Sequence, residues 1–248
     1  MSGVALITGA SRGIGAATAR LLASQGCDLA LNYLHNAAAA EKLSSELQAQ
    51  GVRTLLVQGD VAIEADVLHM FAEVDAKLGR LTALVNSAGV LDRQTRVESM
   101  TVARIQRIFN TNVLGSFICC REAILRMSTA HGGQGGAIVN LSSRAAALGA
   151  PGEYVDYAAS KGAIDSLTIG LAKEVGAQGI RVNAVRPGII DTDIHASGGE
   201  PGRAARLAPL IPLQRPGTAE EVAQSIVWLL SPESSYVTGA LLDIGGGR

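Results

Sequence analysis

The stretch TGASRGIG, residues 8–15, decides the predicted fold. It joins the apolar run Val4 to Thr8, typical of a buried strand, to the segment Ile14 to Gln25, whose apolar residues recur with helical spacing. Glycines at such a junction let the backbone turn sharply and approach a pyrophosphate, and the helix N-terminus adds free amides and the positive end of its dipole. A tight turn that serves only the backbone is the alternative, but the flanking strand and helix favour nucleotide binding. The residues predicted to contact the nucleotide are Gly9, Ser11, Arg12, Gly13, Ile14 and Gly15.

Short apolar runs and longer amphipathic segments alternate along the rest of the chain. This order predicts an α/β fold, a doubly wound seven-stranded parallel sheet with helices on both faces. No change of composition marks a linker, so we expect a single domain over residues 1–248. The other predicted strands are Leu29 to Tyr33, Thr54 to Gln58, Leu81 to Asn86, Ile138 to Leu141, Val182 to Val185 and Leu241 to Ile244. The other predicted helices are Ala37 to Gln50, Glu64 to Leu78, Ala103 to Met127, Tyr154 to Val175 and Ala219 to Leu230.

One long segment, residues 191–212, has no clear periodicity and is rich in glycine and proline. A loop of this length inside a compact domain is usually a functional lid or disordered. We interpret it as a lid over a substrate pocket.

Composition excludes several classes of protein. The net charge is −1, with both signs mixed along the chain, so no basic surface is available for nucleic acid or anionic lipid. The N-terminus has no basic leader and no apolar run is long enough to span a membrane, so we expect a cytoplasmic protein. Cys27, Cys119 and Cys120 lack CxxC spacing, which indicates reduced thiols and no metal site.

The residues after the second strand indicate which dinucleotide is bound. A preference for NAD requires an acidic residue there, which accepts from the ribose 2′-hydroxyl, whereas NADP requires cationic or neutral donors. This chain has Asn32 and Tyr33 at that position and no carboxylate until Glu41. Arg12 in the glycine turn is placed to pair with a 2′-phosphate, and Asn32 to donate to it. We therefore favour NADP(H), with NAD(H) as the alternative.

Polar residues follow two further strands at the edge of the sheet where ligands bind. Asp60 and Val61, after the third strand, are placed to meet an adenine edge with a carboxylate acceptor. Ordinary turn chemistry is the alternative, since Asp and Asn favour such positions. The residues that end the fourth strand and join this predicted site are Asn86, Ser87, Ala88 and Gly89.

Tyr157 and Lys161 form a pair of residues that indicates proton transfer. Four residues on a helix bring both side chains onto one face. A phenol with a pKa near 10 is a poor base at neutral pH, but a nearby ammonium favours the phenolate. We therefore expect Lys161 to bring the pKa of Tyr157 towards working pH. An ordinary surface pair on a helix is the alternative reading of the spacing alone.

Together these motifs resemble the short-chain dehydrogenase/reductase family, and the resemblance extends over essentially the whole chain. It includes the TGASRGIG turn, NSAG at 86–89, a serine before YxxxK, the Pro187–Gly188 turn and YVTGALLDIGGG at 236–247. The subgroup resembled contains bacterial 3-oxoacyl reductases and glucose dehydrogenases. The resemblance implies a Rossmann fold and a nicotinamide-dependent oxidoreductase that interconverts a carbonyl and a secondary alcohol by hydride transfer.

The resemblance also implies roles for individual residues. Tyr157 would be the general acid in reduction and the base in oxidation, and Lys161 would hold the nicotinamide ribose and lower the pKa of the tyrosine. Ser143 would orient the carbonyl, and Asn112 would support a proton relay through water. The segment implied to take the nicotinamide carboxamide comprises Pro187, Gly188, Ile190 and Thr192.

The serine register departs from the family pattern. Ser143 stands 14 positions before Tyr157 and Ser142 stands 15, whereas the usual spacing is one position shorter than that of Ser143. We favour Ser143 as the catalytic serine and leave Ser142 to a backbone or nicotinamide contact.

The sequence does not specify the substrate. The predicted pocket is walled by Arg144, Leu148, Pro151, Gly152 and Tyr154 and covered by a segment with His195, Glu200 and Arg203. A binding protein without turnover, and an epimerase or dehydratase that uses the same Tyr and Lys, remain alternatives. Against the first, no catalytic position is lost; against the second, the glycine pattern is TGxxxGxG. The resemblance further implies a homotetramer that uses the helices over 103–127 and 154–175, with the C-terminal strand region at a second interface.

Overall fold

Seven parallel strands form one sheet in the computed structural model, which describes residues 3–248 apart from the side chain of His195. The strand order is β3-β2-β1-β4-β5-β6-β7, so the direction of winding reverses between β1 and β4. Ligands of open α/β sheets bind at the carboxyl ends of the strands beside such a reversal. The strands are β1 (Val4–Thr8), β2 (Asp28–Tyr33), β3 (Thr54–Gln58), β4 (Leu81–Asn86), β5 (Gly136–Leu141), β6 (Ile180–Pro187) and β7 (Leu241–Ile244).

Helices cover both faces of this sheet and bury a separate apolar layer on each. One layer contains Leu22 and Ile226, and the other contains Phe71 and Ile118, all nearly inaccessible to solvent. This arrangement confirms the predicted doubly wound α/β fold. The helices are α1 (Gly13–Ser24), α2 (Ala37–Gln48), α3 (Glu64–Lys77), α4 (Val102–Phe109), α5 (Gly115–Met127), α6 (Ala145–Leu148), α7 (Val155–Val175), α8 (Ile194–Ser197), α9 (Arg203–Leu207) and α10 (Ala219–Leu230). None of the described helices is long and apolar enough to cross a membrane.

The predicted helix over 103–127 is interrupted. A π-helical turn, Asn110–Leu114, separates α4 from α5. Close packing accompanies the wider turn, because a Cβ on Gly115 would lie only 2.7 Å from Cγ2 of Val61. Such turns are frequent at functional sites, and this one contains Asn112.

The segment 191–212 contains regular structure that the sequence did not predict. Helices α8 and α9 lie within it, and a 3-10 turn, Ala208–Leu210, follows them. Helices of four or five residues span little more than one turn, too short for an apolar repeat to be visible in the sequence. Side-chain ion pairs to other loops hold α9, as described below.

Candidate active site

The glycine turn between β1 and α1 is shaped for close backbone approach. Gly9 has a φ of 64°, and a Cβ there would lie 2.9 Å from Cα of Ala88 on the β4 side. Helix α1 begins at Gly13 with no carboxylate in its first turn and no side-chain cap from the described residues. Its first amides are therefore available to an anion, as a pyrophosphate requires.

Thr8 joins this turn to the end of β4. Its Oγ1 accepts hydrogen bonds from the amides of Ser87 and Ala88, both at 3.0 Å. The sheet edge at the winding reversal is thus held by a hydroxyl that the sequence interpretation did not single out. Of the NSAG segment, Ser87, Ala88 and Gly89 are partly exposed at this edge.

Asn86 differs from the prediction in the direction of its side chain. It is buried, and its Nδ2 donates to Oδ1 of Asn140 on β5 at 2.9 Å and approaches Sγ of Cys120 at 3.3 Å. The amide therefore ties β4 to β5 and α5. The strand alternates its side chains between faces, and here the last residue points into the core.

Asn32 also requires a correction. Its Nδ2 donates to the carbonyl oxygens of Val57 and Gly59 at 3.3 and 3.0 Å, and its Oδ1 accepts from the amide of Gly9 at 3.2 Å. Both amide hydrogens are thus used, and none is left for a 2′-phosphate. Asn32 instead holds the glycine turn against β3.

The remaining groups after β2 and β3 are accessible. Tyr33 is partly exposed and is followed by no carboxylate. Arg12 is exposed, and its Nη2 lies 3.4 Å from Oγ of Ser197 in α8. After β3, the Oδ1 of Asp60 accepts from the amide of Ala62 at 2.9 Å, which is turn chemistry and leaves the second oxygen for another partner. Val61 is buried beside the π-helical turn.

Ser143, not Ser142, lies next to Tyr157. An interaction of the Ser143 hydroxyl with the phenol of Tyr157 lowers the pKa of that phenol. The same hydroxyl accepts from the amide of Ala145 at 3.1 Å and lies 3.5 Å from the carbonyl oxygen of Pro187. Ser142 is buried and donates to the carbonyl oxygen of Lys161 at 3.1 Å, so it braces helix α7.

Lys161 lies beneath the tyrosine ring. Its Nζ is 5.6 Å from the centroid of the Tyr157 ring and donates to the carbonyl oxygen of Leu141 at 2.6 Å. A Cβ on Gly89 would lie 3.7 Å from this Nζ and 3.5 Å from Oδ1 of Asn112. The ammonium, the NSAG segment and the π-helical turn therefore converge on one point.

The pKa values of the pair differ from the sequence-based expectation. Burial raises the pKa of Tyr157 to about 12, and the hydrogen bond from Ser143 only partly opposes this effect. Burial lowers the pKa of Lys161 to about 8, with the charge of Asp165 opposing. Desolvation of the phenolate is thus the dominant effect on the tyrosine. In the protein alone, Tyr157 is a protonated phenol at neutral pH.

Asn112 is fixed by three hydrogen bonds from its side chain. Its Oδ1 accepts from the amide of Val90 at 2.8 Å, and its Nδ2 donates to the carbonyl oxygen of Val90 and to Oγ of Ser160, each at 3.1 Å. Ser160 in turn donates to the carbonyl oxygen of Tyr157 at 2.7 Å. Asn112 thus couples the loop after β4 to the helix that carries the tyrosine.

The segment after β6 closes over the glycine turn. The amide of Gly188 donates to the carbonyl oxygen of Ile244 at 2.9 Å, which anchors the Pro187–Gly188 turn to β7. Ile190 is buried and forms an isolated bridge with Gly217. A Cβ on Gly13 would lie 3.6 Å from Cγ2 of Thr192. Thr192 therefore lies against the start of α1.

Charged side chains hold the lid segment in place. Arg203 in α9 is buried and donates to Oε2 of Glu153 at 2.5 Å and, more weakly, to Oε2 of Glu200 at 3.4 Å. Glu200 also accepts from Gln94 at 2.6 Å and from Arg206 at 2.5 Å. We call these five side chains the lid cluster. It joins the loops after β4, before α7 and after β6.

The pocket walls predicted from the sequence are placed in two groups. Tyr154 is buried with Arg203 5.1 Å from its ring centroid, and its hydroxyl has no hydrogen-bond partner among the described residues. Arg144 points away from Ser143: its Nε donates to the backbone oxygen of Arg248 at 2.8 Å, and its Nη1 pairs with Asp243. These contacts engage the Arg144 guanidinium with β7 and the C-terminal residue, and its place in the wall of the predicted pocket stays a prediction. Leu148, Pro151 and Gly152 are exposed.

Comparisons with known proteins agree with this geometry. A family model described as enoyl-(acyl carrier protein) reductase matches residues 9–248. The chain is 57% identical over 245 residues to an uncharacterized oxidoreductase, YgfF, of Escherichia coli (strain K12), with 99% of each chain covered. It is 36% identical over 247 residues to the 3-oxoacyl-[acyl-carrier-protein] reductase FabG of Staphylococcus aureus (strain Mu50), covering 100% of this chain and 98% of that one. The chain belongs to the short-chain dehydrogenase/reductase family. It is an oxidoreductase of that family.

Solved structures of this family superpose closely on the chain. A blue fluorescent protein from a metagenomic library, in complex with NADPH, has a TM-score of 0.90 at 35% identity and covers 99% of this chain and 97% of its own. A short chain dehydrogenase from Burkholderia cenocepacia J2315, in complex with NADP, has a TM-score of 0.89 at 33% identity, with 98% and 96% covered. A 3-ketoacyl-(acyl-carrier-protein) reductase from Brucella melitensis, complexed with NADH, has a TM-score of 0.91 at 31% identity, with 99% and 98% covered.

Several residues of this dehydrogenase/reductase site were not predicted from the sequence. Thr8 and Ser160 act through hydrogen bonds to backbone groups that are distant in sequence, and no local pattern reveals such partners. Asp165 is different, because it follows Lys161 by one helical turn and the rule that placed Tyr157 beside Lys161 applies to it equally.

Proposed function

We propose that this oxidoreductase is an NADP(H)-dependent carbonyl reductase and alcohol dehydrogenase with Tyr157 as its general acid and base. One observation carries the proposal. The hydroxyl of Ser143 acts on the phenol of Tyr157 and lowers its pKa, and Nζ of Lys161 lies 5.6 Å from the centroid of the tyrosine ring, at the sheet edge that also holds the glycine turn. The Tyr157 phenol can donate a proton to a substrate carbonyl oxygen, and the Ser143 hydroxyl can donate a hydrogen bond to the same oxygen.

The residues divide the work of reduction as follows. When bound, the reduced nicotinamide supplies the hydride. Ser143 donates to the carbonyl oxygen and so fixes its direction. Tyr157 gives its proton to that oxygen as negative charge develops there. Lys161 holds the ribose hydroxyls and supports the charge left on the phenolate, and Asn112 keeps the loop at Val90 in register with α7.

The state of Tyr157 favours reduction. A phenol whose pKa burial raises to about 12 is protonated at pH 7 and ready to donate. For alcohol oxidation Tyr157 must first lose its proton. Bound oxidised cofactor and a high pH would have to favour that deprotonation. We therefore propose that the protein without cofactor holds Tyr157 in the protonation state that carbonyl reduction requires.

The glycine turn fits a dinucleotide with a 2′-phosphate. The free amides at the start of α1 suit the pyrophosphate, and no carboxylate follows β2 to repel a further phosphate. Arg12 is exposed beside the turn and supplies the cation. NADPH and NADP are the ligands named for two of the similar structures, and NADH for a third. NADP(H) is the proposed cofactor, with NAD(H) as a weaker second.

Reduction of a carbon–carbon double bond is the second candidate, because the matching family model is described as an enoyl reductase. That reaction delivers a proton to carbon and needs an oxygen only as an electron sink. The Ser143–Tyr157 pair presents two hydroxyls to one oxygen, which favours the carbonyl.

A substrate panel tests the proposal. Oxidation of NADPH and of NADH is followed at 340 nm with ketones, aldehydes, 3-oxoacyl thioesters, quinones and α,β-unsaturated thioesters. We expect turnover with at least one carbonyl compound and a higher kcat/KM with NADPH. Turnover confined to unsaturated thioesters would select the second candidate. Tight NADPH binding without turnover on any member would indicate a binding protein.

We further propose that the chain is one domain with residues 191–212 as its lid, works in the cytoplasm and assembles as a homotetramer. An exposed apolar face on α5 and α7 supports the assembly. Phe117, Leu125 and Ile169 are 49%, 47% and 38% exposed, and a groove of about 700 Å³ runs between the two helices. Three buried free thiols accord with a reducing compartment.

A further inference from the structure

Asp165 extends the catalytic face of helix α7. Tyr157, Lys161 and Asp165 follow one another at four-residue intervals, so all three side chains lie along one side of the helix. The Asp165 side chain is only 13% exposed. A carboxylate is therefore held out of solvent one turn beyond the buried ammonium.

Structural pairing accounts poorly for this buried carboxylate. Its Oδ2 lies 3.4 Å from Nη1 of Arg186 on β6, a long contact for an ion pair. Its Oδ1 is buried and has no hydrogen-bond partner in the part of the chain that the structure describes. Arg186 instead makes its close contact, 2.5 Å, with Oδ1 of Asp243 on β7. A buried oxygen left unpaired destabilises a fold, so its retention calls for another explanation.

The surroundings of Lys161 supply that explanation. From other elements, two uncharged groups lie close to its Nζ: the carbonyl oxygen of Leu141, which accepts a hydrogen bond from it, and Gly89, on which a Cβ would lie 3.7 Å away. On α7 itself it faces Tyr157, a protonated phenol, and Asp165. Burial favours the neutral amine, and Asp165 is the charge that opposes burial.

We propose that Asp165 is a positioning residue that keeps Lys161 in its ammonium form beneath Tyr157. Its Coulomb field acts along one helical turn, and Arg186, backed by Asp243, moderates this field from β6. The contact with Arg186 is long and involves only Oδ2, so Oδ1 of Asp165 has no hydrogen-bond partner among the described residues. The effect of Asp165 on Lys161 does not depend on the proposed function. Only the catalytic role of the Lys161 ammonium rests on that function.

Titration of the lysines tests the inference without turnover. The chain has four lysines, so ¹³Cε-lysine labelling gives few signals, and Lys161→Arg identifies the one that belongs to Lys161. We expect Asp165→Asn to move the Lys161 midpoint to lower pH by about one unit, the order that one charge a helical turn away produces. Asp165→Glu should restore the midpoint. Glu174→Gln, the same charge change at an exposed site on α7, should leave it unchanged.

Arg186→Gln adds a variant with the opposite sign, which keeps the test decisive if Asp165→Asn does not fold. Loss of this cation should raise the Lys161 midpoint. In catalysis, Asp165→Asn should shift the alkaline fall of kcat/KM to lower pH by the same amount and preserve the rate below that fall. An unchanged Lys161 midpoint in Asp165→Asn, or an unchanged or lower one in Arg186→Gln, would overturn the inference. A shifted midpoint with no matching change in the pH profile would instead refute the catalytic role of Lys161.

Discussion

At the scale of single residues, the protonation states of Tyr157 and Lys161 define the site. Burial acts on the two groups in opposite directions, raising the pKa of the phenol to about 12 and lowering that of the ammonium to about 8. The phenol of Tyr157 is therefore protonated at neutral pH, while the ammonium of Lys161 begins to lose its proton just above neutral pH. We therefore expect the lysine, and not the tyrosine, to set the alkaline limit of the proposed reduction.

The pH dependence of reduction follows from the lysine. Because the pKa of Lys161 is lowered to about 8, its charge is complete below about pH 7 and is lost as pH rises through 8. We expect kcat/KM for NADPH-dependent reduction to be level below pH 7 and to fall about tenfold per pH unit well above 8. Lys161→Arg, whose guanidinium stays charged, should lose this limb, although its rate is lower. A wild-type profile that stays level to pH 9.5 contradicts the assignment.

Residue identity at the site was predictable, but side-chain direction was not. The pairing of Tyr157 with Lys161 followed from helical spacing, and Ser143 was favoured over Ser142 from the register alone. Asn32 and Asn86 were predicted to meet the cofactor, yet both side chains bond to neighbouring strands. The direction of each asparagine side chain depends on hydrogen-bond partners that are distant in sequence. Only the folded structure shows these partners.

At the scale of elements, the lid cluster fixes the segment 191–212 against two other loops. Its side chains join α9 to the loops after β4 and before α7, with Glu200 accepting from Gln94, Arg203 and Arg206. These hydrogen bonds lower the pKa of Glu200 to about 2. Its charge is thus present at any pH above about 4 and would be lost only as pH falls through 2. The lid is held by the same charges across the working range.

Neutralising Glu200 should loosen the lid. In Glu200→Gln the contacts with two arginines lose their ionic part, and we expect KM for the carbonyl substrate to rise roughly two- to fivefold, the range of exposed ion pairs. The Kd for NADPH should not change, because α1 and its glycine turn are untouched. Glu46→Gln, which removes an exposed pair with Arg20 on another face, is the matched control. Equal KM values for Glu200→Gln and this control would remove the cluster from substrate binding.

Strands and helices were predictable where burial produces a regular pattern of apolar residues. They were not predictable where contacts between distant parts of the chain determine the local backbone conformation. Strands β1, β3, β4 and β7 begin and end where the apolar runs predicted. The segment with the π-helical turn at 110–114 was predicted as uninterrupted helix, because the close approach of Val61 to Gly115 that accompanies the turn joins residues far apart in sequence. Helices α8 and α9 are too short to show a repeat, and the ion pairs that hold α9 come from other loops.

At the scale of the whole molecule, the sheet order determines where chemistry occurs. The reversal between β1 and β4 places the glycine turn, the NSAG segment and the Ser143–Tyr157 pair at one edge. The alternation of strands and helices predicted this arrangement. The opposite side of α5 and α7 remains exposed and apolar, so the same two helices support the site and offer a surface for assembly.

The proposed tetramer has a mass that light scattering can measure. Four copies of the 25.5 kDa chain give about 102 kDa. Phe117→Arg places a charge on the exposed apolar face of α5, and we expect it to yield smaller species with the fold retained by circular dichroism. Trp228→Arg, at an exposed apolar residue on α10, is a control for an equal change elsewhere. A wild-type mass near that of one chain would refute the assembly.

The central claim is that the phenolic proton of Tyr157 is the one delivered to the carbonyl oxygen. Tyr157→Phe removes only the hydroxyl and keeps the ring above Lys161. With a substrate found in the panel, the decisive measurement compares kcat of this variant with its Kd for NADPH, taken from cofactor fluorescence. We expect a fall in kcat of at least about a thousandfold with a Kd within about threefold of wild type. If the variant retains kcat within tenfold of wild type, Tyr157 does not deliver that proton.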